Sequence, residues 1–184
     1  MRRARWERSN TFTGFALVAN FCFHAKIPNG GEMISSKDWR YLKYILAHKR
    51  FVFQAGLKFR VPIWRLIIHD YSKFFPVEWI AYREFFYGER TQVVKDAFRI
   101  AWLHHIHLNK HHWNYWVYVD EGSTPILEMP EIYLREMMAD WWGAGRAITG
   151  RWRADEWYEE NRGKIVLHPK TQAEVERRLD SVKF

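Results

Sequence analysis

Downstream of residue 36, apolar residues recur at mostly three- and four-residue intervals, the spacing that lays one stripe along a helix. Over 37–58 the stripe runs through Trp39, Leu42, Ile45, Leu46, Phe53 and Leu57, with Gly56 near its end. Pro62, suited to a first helical turn, opens a second helix through Trp64, Leu66, Ile67 and Ile68. Pro76 starts a third over 76–87, and Gly88 stops it. A fourth spans roughly 91–108, a long one 130–148 follows Pro130, and a last one near 170–181 follows Pro169. Trp113 to Val119 is aromatic and β-branched, which predicts a short strand or an aromatic lid. Asp120 to Pro125 reads as a loop. The pattern predicts an all-α fold, a compact single-domain helical bundle.

Residues 1–35 break the pattern and form an N-terminal extension to a domain over 36–184. A basic start, Met1 to Arg8, precedes an apolar run from Phe12 to Phe23. That run imitates a signal peptide but lacks a small-x-small cleavage site, and it is too short to span a bilayer. Gly30-Gly31-Glu32 is what a purine-rich ribosome-binding site yields when translated through. The expectation is therefore a start assigned upstream of a native Met33. From there the chain enters Ser35-Ser36, a natural N-cap, with Asp38 in the first turn.

Composition narrows the class. Eleven Trp and an aromatic content of 18% suit large interlocking side chains in a helical core. The single Cys22 excludes an internal disulfide framework and a thiolate metal site, and it fits a reducing, cytoplasmic setting. A net charge of +8 favours an anionic partner, a nucleotide phosphate or nucleic acid, although no nucleic-acid-binding module is visible. No membrane segment is expected.

The chemistry concentrates in His69-Asp70-Tyr71-Ser72-Lys73, preceded by His48 and followed by His104, His105, His107, His111 and His112, then Asp140. Imidazoles and carboxylates drawn from four segments are what a site for one or two divalent metals requires. Neighbours on a helix end project about 100° apart, so His69 and Asp70 can both flank one ion. They follow apolar Leu66-Ile67-Ile68, and burying both without a cation would cost several kcal/mol. Asp140, between Met137-Met138 and Trp141-Trp142, also needs a cation, with Arg135 or Arg146 as alternatives. In the histidine cluster, His104, His107 and His111 share one helical stripe, and His105 and His112 another. His105 aligns with Phe98, Ala101 and Trp102, and His104 with Ala97 and Ile100, so both stay open as ligands. His107 reads as surface.

These residues resemble the HD-domain superfamily of metal-dependent phosphohydrolases, whose pattern is H…HD…D, often with HD-x-x-K. The chain is more similar still to an uncharacterised family of phage and bacterial genomes. That family carries blocks like HKRFVFQAG, IIHDYSKF, AWLHHIHLNKHHWNYW and EMMADWWGAGRAITG, and the likeness covers roughly 37–184. The closer family brings no activity with it. The wider resemblance implies a helical bundle of the HD-domain type. His48, His69, Asp70, Asp140 and at least one of His104 and His105 would hold a divalent metal, Mn, Co, Mg, Zn or Fe. Asp70, Lys73 and His105 would be catalytic, with Lys73 beside a substrate phosphate. Asn109, His111 and His112 would contact substrate, and Trp113, Tyr115 and Trp116 either stack on a base or pack in the core. The expected function is hydrolysis of a nucleotide or related phosphate ester. The alternatives are a di-iron oxygenase of the same superfamily, or a basic module that binds nucleic acid or a host protein without catalysis.

Overall fold

The computed structural model describes residues 35–184, so the expectation about Met33 lies outside the described residues. The chain there forms seven α-helices and no strand. They are α1 (Ser36–Lys58), α2 (Ile63–Ile68), α3 (Pro76–Tyr87), α4 (Gln92–Leu108), α5 (Glu131–Thr149), α6 (Ala154–Asn161) and α7 (Pro169–Ser181). The all-α architecture is as the apolar spacing predicts.

Local chemistry sets most of the boundaries. Ser35 and Asp38 form a reciprocal capping box at the start of α1, each side chain accepting from the other's backbone N–H at 3.2 Å. Thr91 caps α4 by accepting from Val94 N–H at 3.3 Å. Pro76 occupies the first turn of α3, and Gly150 closes α5 at a φ of 77°. Helix α6 was not expected, because its polar sequence buries only Ala154 and Tyr158, too few to print a stripe.

The segment 113–119 differs from the strand expectation. Trp113–Trp116 is a short 3-10 turn, and Val117 makes one isolated antiparallel bridge with Ile126. Local bonds consume the backbone: Tyr115 N–H donates to His112 O at 3.1 Å, and the Trp116 indole donates to Lys110 O at 2.8 Å. Trp113 and Trp116 pack their rings against the larger core.

Helices α1 and α5 are the most extensively packed pair. A side chain at Gly143 would put its Cβ 2.5 Å from Val52 N, so only glycine lets the two backbones come this close. Asp140 lies three residues before Gly143 and His48 four before Val52, so this close approach turns those two side chains towards each other. Two apolar clusters flank them, one built on Tyr41, Ile45, Tyr82 and Ala101, the other on Val52, Leu66, Met137 and Trp142. The buried stripe of α1 passes from the first cluster to the second through His48. Among the described residues no helix is long and apolar enough to cross a membrane.

Candidate metal centre

The His69-Asp70 pair does not sit on a continuing helix. Helix α2 stops at Ile68, His69 leaves it with φ −49° and ψ 129°, and Asp70 takes the left-handed conformation with φ 54° and ψ 29°. That region disfavours L residues by about 1–2 kcal/mol, and Asp tolerates it better than most. The turn directs both side chains into the same interior space. Lys49 holds it from α1, donating to Ile67 O at 3.1 Å and His69 O at 2.5 Å.

Asp70 is the hub. Its Oδ2 lies 3.0 Å from His48 Nε2, 3.4 Å from His69 Nε2 and 2.6 Å from Lys73 Nζ. Its Oδ1 lies 3.4 Å from both His105 Nε2 and His111 Nε2. Asp140 Oδ1 approaches His48 Nε2 at 3.3 Å and His69 Nε2 at 3.6 Å. Ligands held at bonds of about 2.1 Å stand roughly 3.0–3.5 Å apart in octahedral or tetrahedral sites, so these separations suit a shared ion. Three buried groups could hold a metal: His48 with His69, Asp70 and Asp140; His69 with His111 and Glu136; and Asp70 with His111 and His112.

Two of the ring nitrogens facing away from this space are anchored, whereas the outward Nδ1 of His48 is buried without a partner. His69 Nδ1–H donates to Glu136 Oε1 at 3.0 Å, and Arg65 holds the other oxygen of Glu136, donating from Nε at 2.6 Å. His105 Nδ1–H donates to Glu78 Oε2 at 2.8 Å, and Ser72 Oγ donates to the same oxygen at 3.0 Å. Of the inward atoms, His48 Nε2 and Asp70 Oδ2 bond to each other at 3.0 Å, but five others do not bond. His69 Nε2, Asp70 Oδ1, His105 Nε2, His111 Nε2 and His112 Nε2 are all buried without a hydrogen-bond partner.

Charge within the cluster moves the titrations apart. Burial, with the Lys73 charge nearby, holds His48 down to about 4. Burial alone would depress His69 too, but the Asp70 charge, helped by Asp140 and Glu136, lifts it to about 10. His105 is raised against its burial by Asp70 and Glu78. His112 is driven well down by burial and by His111 and His105. Burial opposes ionisation of Asp70 and Asp140, yet neighbouring imidazoles hold both carboxyls below their usual range.

The structure therefore gathers His48, His69, Asp70 and Asp140 at one point, with His105, His111 and His112 around the other oxygen of Asp70. His104 lies apart: its half-buried ring donates from Nδ1 to Glu78 Oε1 at 2.7 Å and joins none of the gathered groups. Lys73 is buried with its ammonium on Asp70, where it neutralises that carboxylate. Asn109 is a buried brace, its Nδ2 donating to Ser72 Oγ and to His105 O, both at 2.8 Å. His107 is exposed.

Sequence reasoning missed Glu136 and Glu78. Glu136 lies one helical turn before Asp140 on the same inward face, a register that marks it. Glu78 carries no such mark, since an acid in the first turn of a helix is ordinary.

A model of a family of unknown function, DUF5662, matches residues 37–181, and the chain belongs to that family. No curated protein and no solved structure matches the chain.

Proposed function

We propose that the protein is a metal-dependent phosphohydrolase acting on a nucleotide or related phosphate ester. The observation that carries this reading is the set of five inward-facing, buried and unpartnered atoms on His69, Asp70, His105, His111 and His112. A buried polar atom with no partner costs about 1–3 kcal/mol, and a cation shared among these atoms would recover it. His48, His69, Asp70 and Asp140 would hold one ion, and the free oxygen of Asp70 with His111 and His112 gives room for another. A bound divalent ion would supply Lewis acidity at the phosphoryl group and a water of lowered pKa.

The remaining roles fall to the chain itself. Glu136 and Glu78 fix the His69 and His105 rings so that each Nε2 lone pair faces the centre. Lys73 keeps Asp70 ionised and its Oδ2 oriented. His112, kept neutral by burial beside His111 and His105, has a ring free of a proton that would compete with a metal. The net charge of +8 suits an anionic substrate.

The test is metal content of the purified protein by elemental analysis, beside a His69→Ala/Asp70→Ala double variant, followed by phosphate release from a panel of nucleotides. One or two equivalents of Mn, Co, Mg or Zn, lost in the variant, with phosphate released, is the expected result. No metal after reconstitution in either protein overturns the reading. The histidine-rich surroundings of Asp70 favour a second reading, a di-iron oxygenase, which requires iron and oxygen consumption without phosphate release.

A further inference from the structure

A cavity of about 580 Å³ opens beside the centre, within the range of small-molecule sites. Asp140 and His112 both line it, and each is followed in sequence by an indole, Trp141 and Trp113, that also lines it. Trp102 and Trp157 contribute two more walls. The Trp141 and Trp157 rings stand 5.2 Å apart and inclined at 55°, and the Trp102 ring lies 5.2 Å from that of His112. Trp102 and Trp157 remain 36% and 37% exposed, so apolar ring area is left uncovered at the mouth.

Four indoles around one opening are suited to a flat, polarisable ring. Polar groups at the rim fit the edge of such a ring better than they fit an aliphatic chain. Asn114 offers an amide, and Arg153 a guanidinium edge, its Nε 3.3 Å from Glu156 Oε2 in an ion pair without hydrogen-bond alignment. Glu160, the rim carboxylate, already accepts from Arg153 Nη2 at 2.8 Å, which counts against a quaternary ammonium headgroup.

We propose that this cavity is the base-binding subsite of the centre, stacking the planar ring of a nucleotide among the indoles with its phosphate end towards Asp140 and His112. The assignment rests on the phosphohydrolase reading for the phosphate end, while the ring end stands on the cavity alone. The substrate class is accordingly a nucleotide rather than a sugar phosphate or a phospholipid.

The full-length protein, with metal and after treatment with a chelator, is titrated with the four nucleosides, their 5′-monophosphates, ribose 5-phosphate, phosphocholine and decyl phosphate. Tryptophan fluorescence and calorimetry report binding. At least one nucleotide should bind the metal-loaded protein about tenfold or more tighter than ribose 5-phosphate. The matching nucleoside should also bind the chelator-treated protein. Ala144→Phe, which fills the cavity from α5, should weaken nucleoside binding at least about tenfold, leaving metal content and melting temperature as in the parent. Should that variant misfold, Trp157→Ala at the open mouth removes one wall and should weaken binding in the same direction. Nucleoside binding that a folded one of these variants weakens at least about tenfold supports the subsite even if the protein holds no metal, and undiminished binding in both overturns it. Equal affinity for nucleotide and ribose 5-phosphate overturns it while leaving the metal reading in place. Tighter binding of decyl phosphate or phosphocholine overturns the assignment of a base.

Discussion

Gly143→Ala should damage both the fold and the centre, and Gly145→Ala on the same helix should damage neither. The Gly143 Cβ would sit 2.5 Å from Val52 N and Cγ2 and 2.7 Å from Val52 Cα. At Gly145 the nearest atoms would be Arg153 Cγ at 3.6 Å and Arg153 N at 3.7 Å, which is ordinary contact. Both changes replace glycine inside α5, so both gain about 1 kcal/mol of helix propensity. The difference between them is then the overpacking penalty at Val52, about 1–3 kcal/mol. Restoring contact near 3.5 Å requires α1 and α5 to separate by about 1 Å. His48 Nε2 and Asp140 Oδ1, now 3.3 Å apart, ride on those same two helices. An increase of about 1 Å takes them past roughly 4.2 Å, the widest gap one ion with bonds of about 2.1 Å can bridge. Urea denaturation of the two variants reads the first effect, and competition with a chromophoric chelator reads the second. Gly143→Ala should unfold at lower urea than Gly145→Ala and bind metal at least about tenfold more weakly. Matching midpoints and matching affinities in the two variants would refute the idea that the close helix approach builds the site.

Glu136→Gln keeps a group able to accept from His69 Nδ1 but removes the charge that Arg65 and His69 share, so metal affinity should fall roughly 10–100-fold with little change in circular dichroism. Affinity equal to the parent's would deny Glu136 its positioning role. Metal uptake should release protons, because His69 in the metal-free centre titrates near 10 and must lose a proton to ligate. Calorimetry in buffers of different ionisation enthalpy measures the number, and a value of zero at pH 7 would contradict the charge placement. The metal-free protein should be most stable near neutral pH. His48, depressed from 6.5 to about 4, takes its proton in the unfolded chain first, so stability falls as pH drops from 6.5 towards 4. His69, raised from 6.5 to about 10, contributes stability below 6.5 that is lost as pH climbs towards 10. Melting temperatures across that range in the presence of a chelator should form a dome, and a flat profile would refute the pair of shifts.

Elements bounded by their own local chemistry were legible in the sequence. Pro76 and Gly88 frame α3, Pro169 opens α7, and Ser35 with Asp38 caps α1, because each boundary depends on residues adjacent in the chain. Helix α6 was not, since it is held by Tyr158 and Ala154 against a core assembled from distant segments. The strand expected near 113–119 failed for a different, local reason: β propensity could not foresee that the Trp116 indole would turn back onto Lys110 O, six residues earlier. The ordered His48, His69, Asp70 and Asp140 were legible as a group, and the structure brings them together. Choosing between His104 and His105 needed Glu78, on another helix, which binds both rings and leaves only the inner one facing Asp70.

The polarity of the cluster bears on why these residues are there. An ionic network whose purpose is stability would satisfy its innermost atoms, where an unpaired group is most expensive. Here the order is reversed at His69 and His105, though not at His48, whose inward Nε2 bonds to Asp70 and whose outward Nδ1 has no partner. The outward nitrogens of His69 and His105 are bonded to Glu136 and Glu78, and five inward atoms have no hydrogen-bond partner. Four of the five sit only in ion-pair contacts of 3.4–3.8 Å that are too long or too poorly aligned for hydrogen bonds, so their desolvation is only partly offset. Asp70 adds left-handed backbone strain at the same point. A fold that concentrates unfavourable energy around one carboxylate, while bracing two of the surrounding rings from outside with glutamates, has the arrangement of oriented ligands. The same inward atoms would be the first to gain when a cation enters, so metal should raise the melting temperature far more than it would at a surface carboxylate pair.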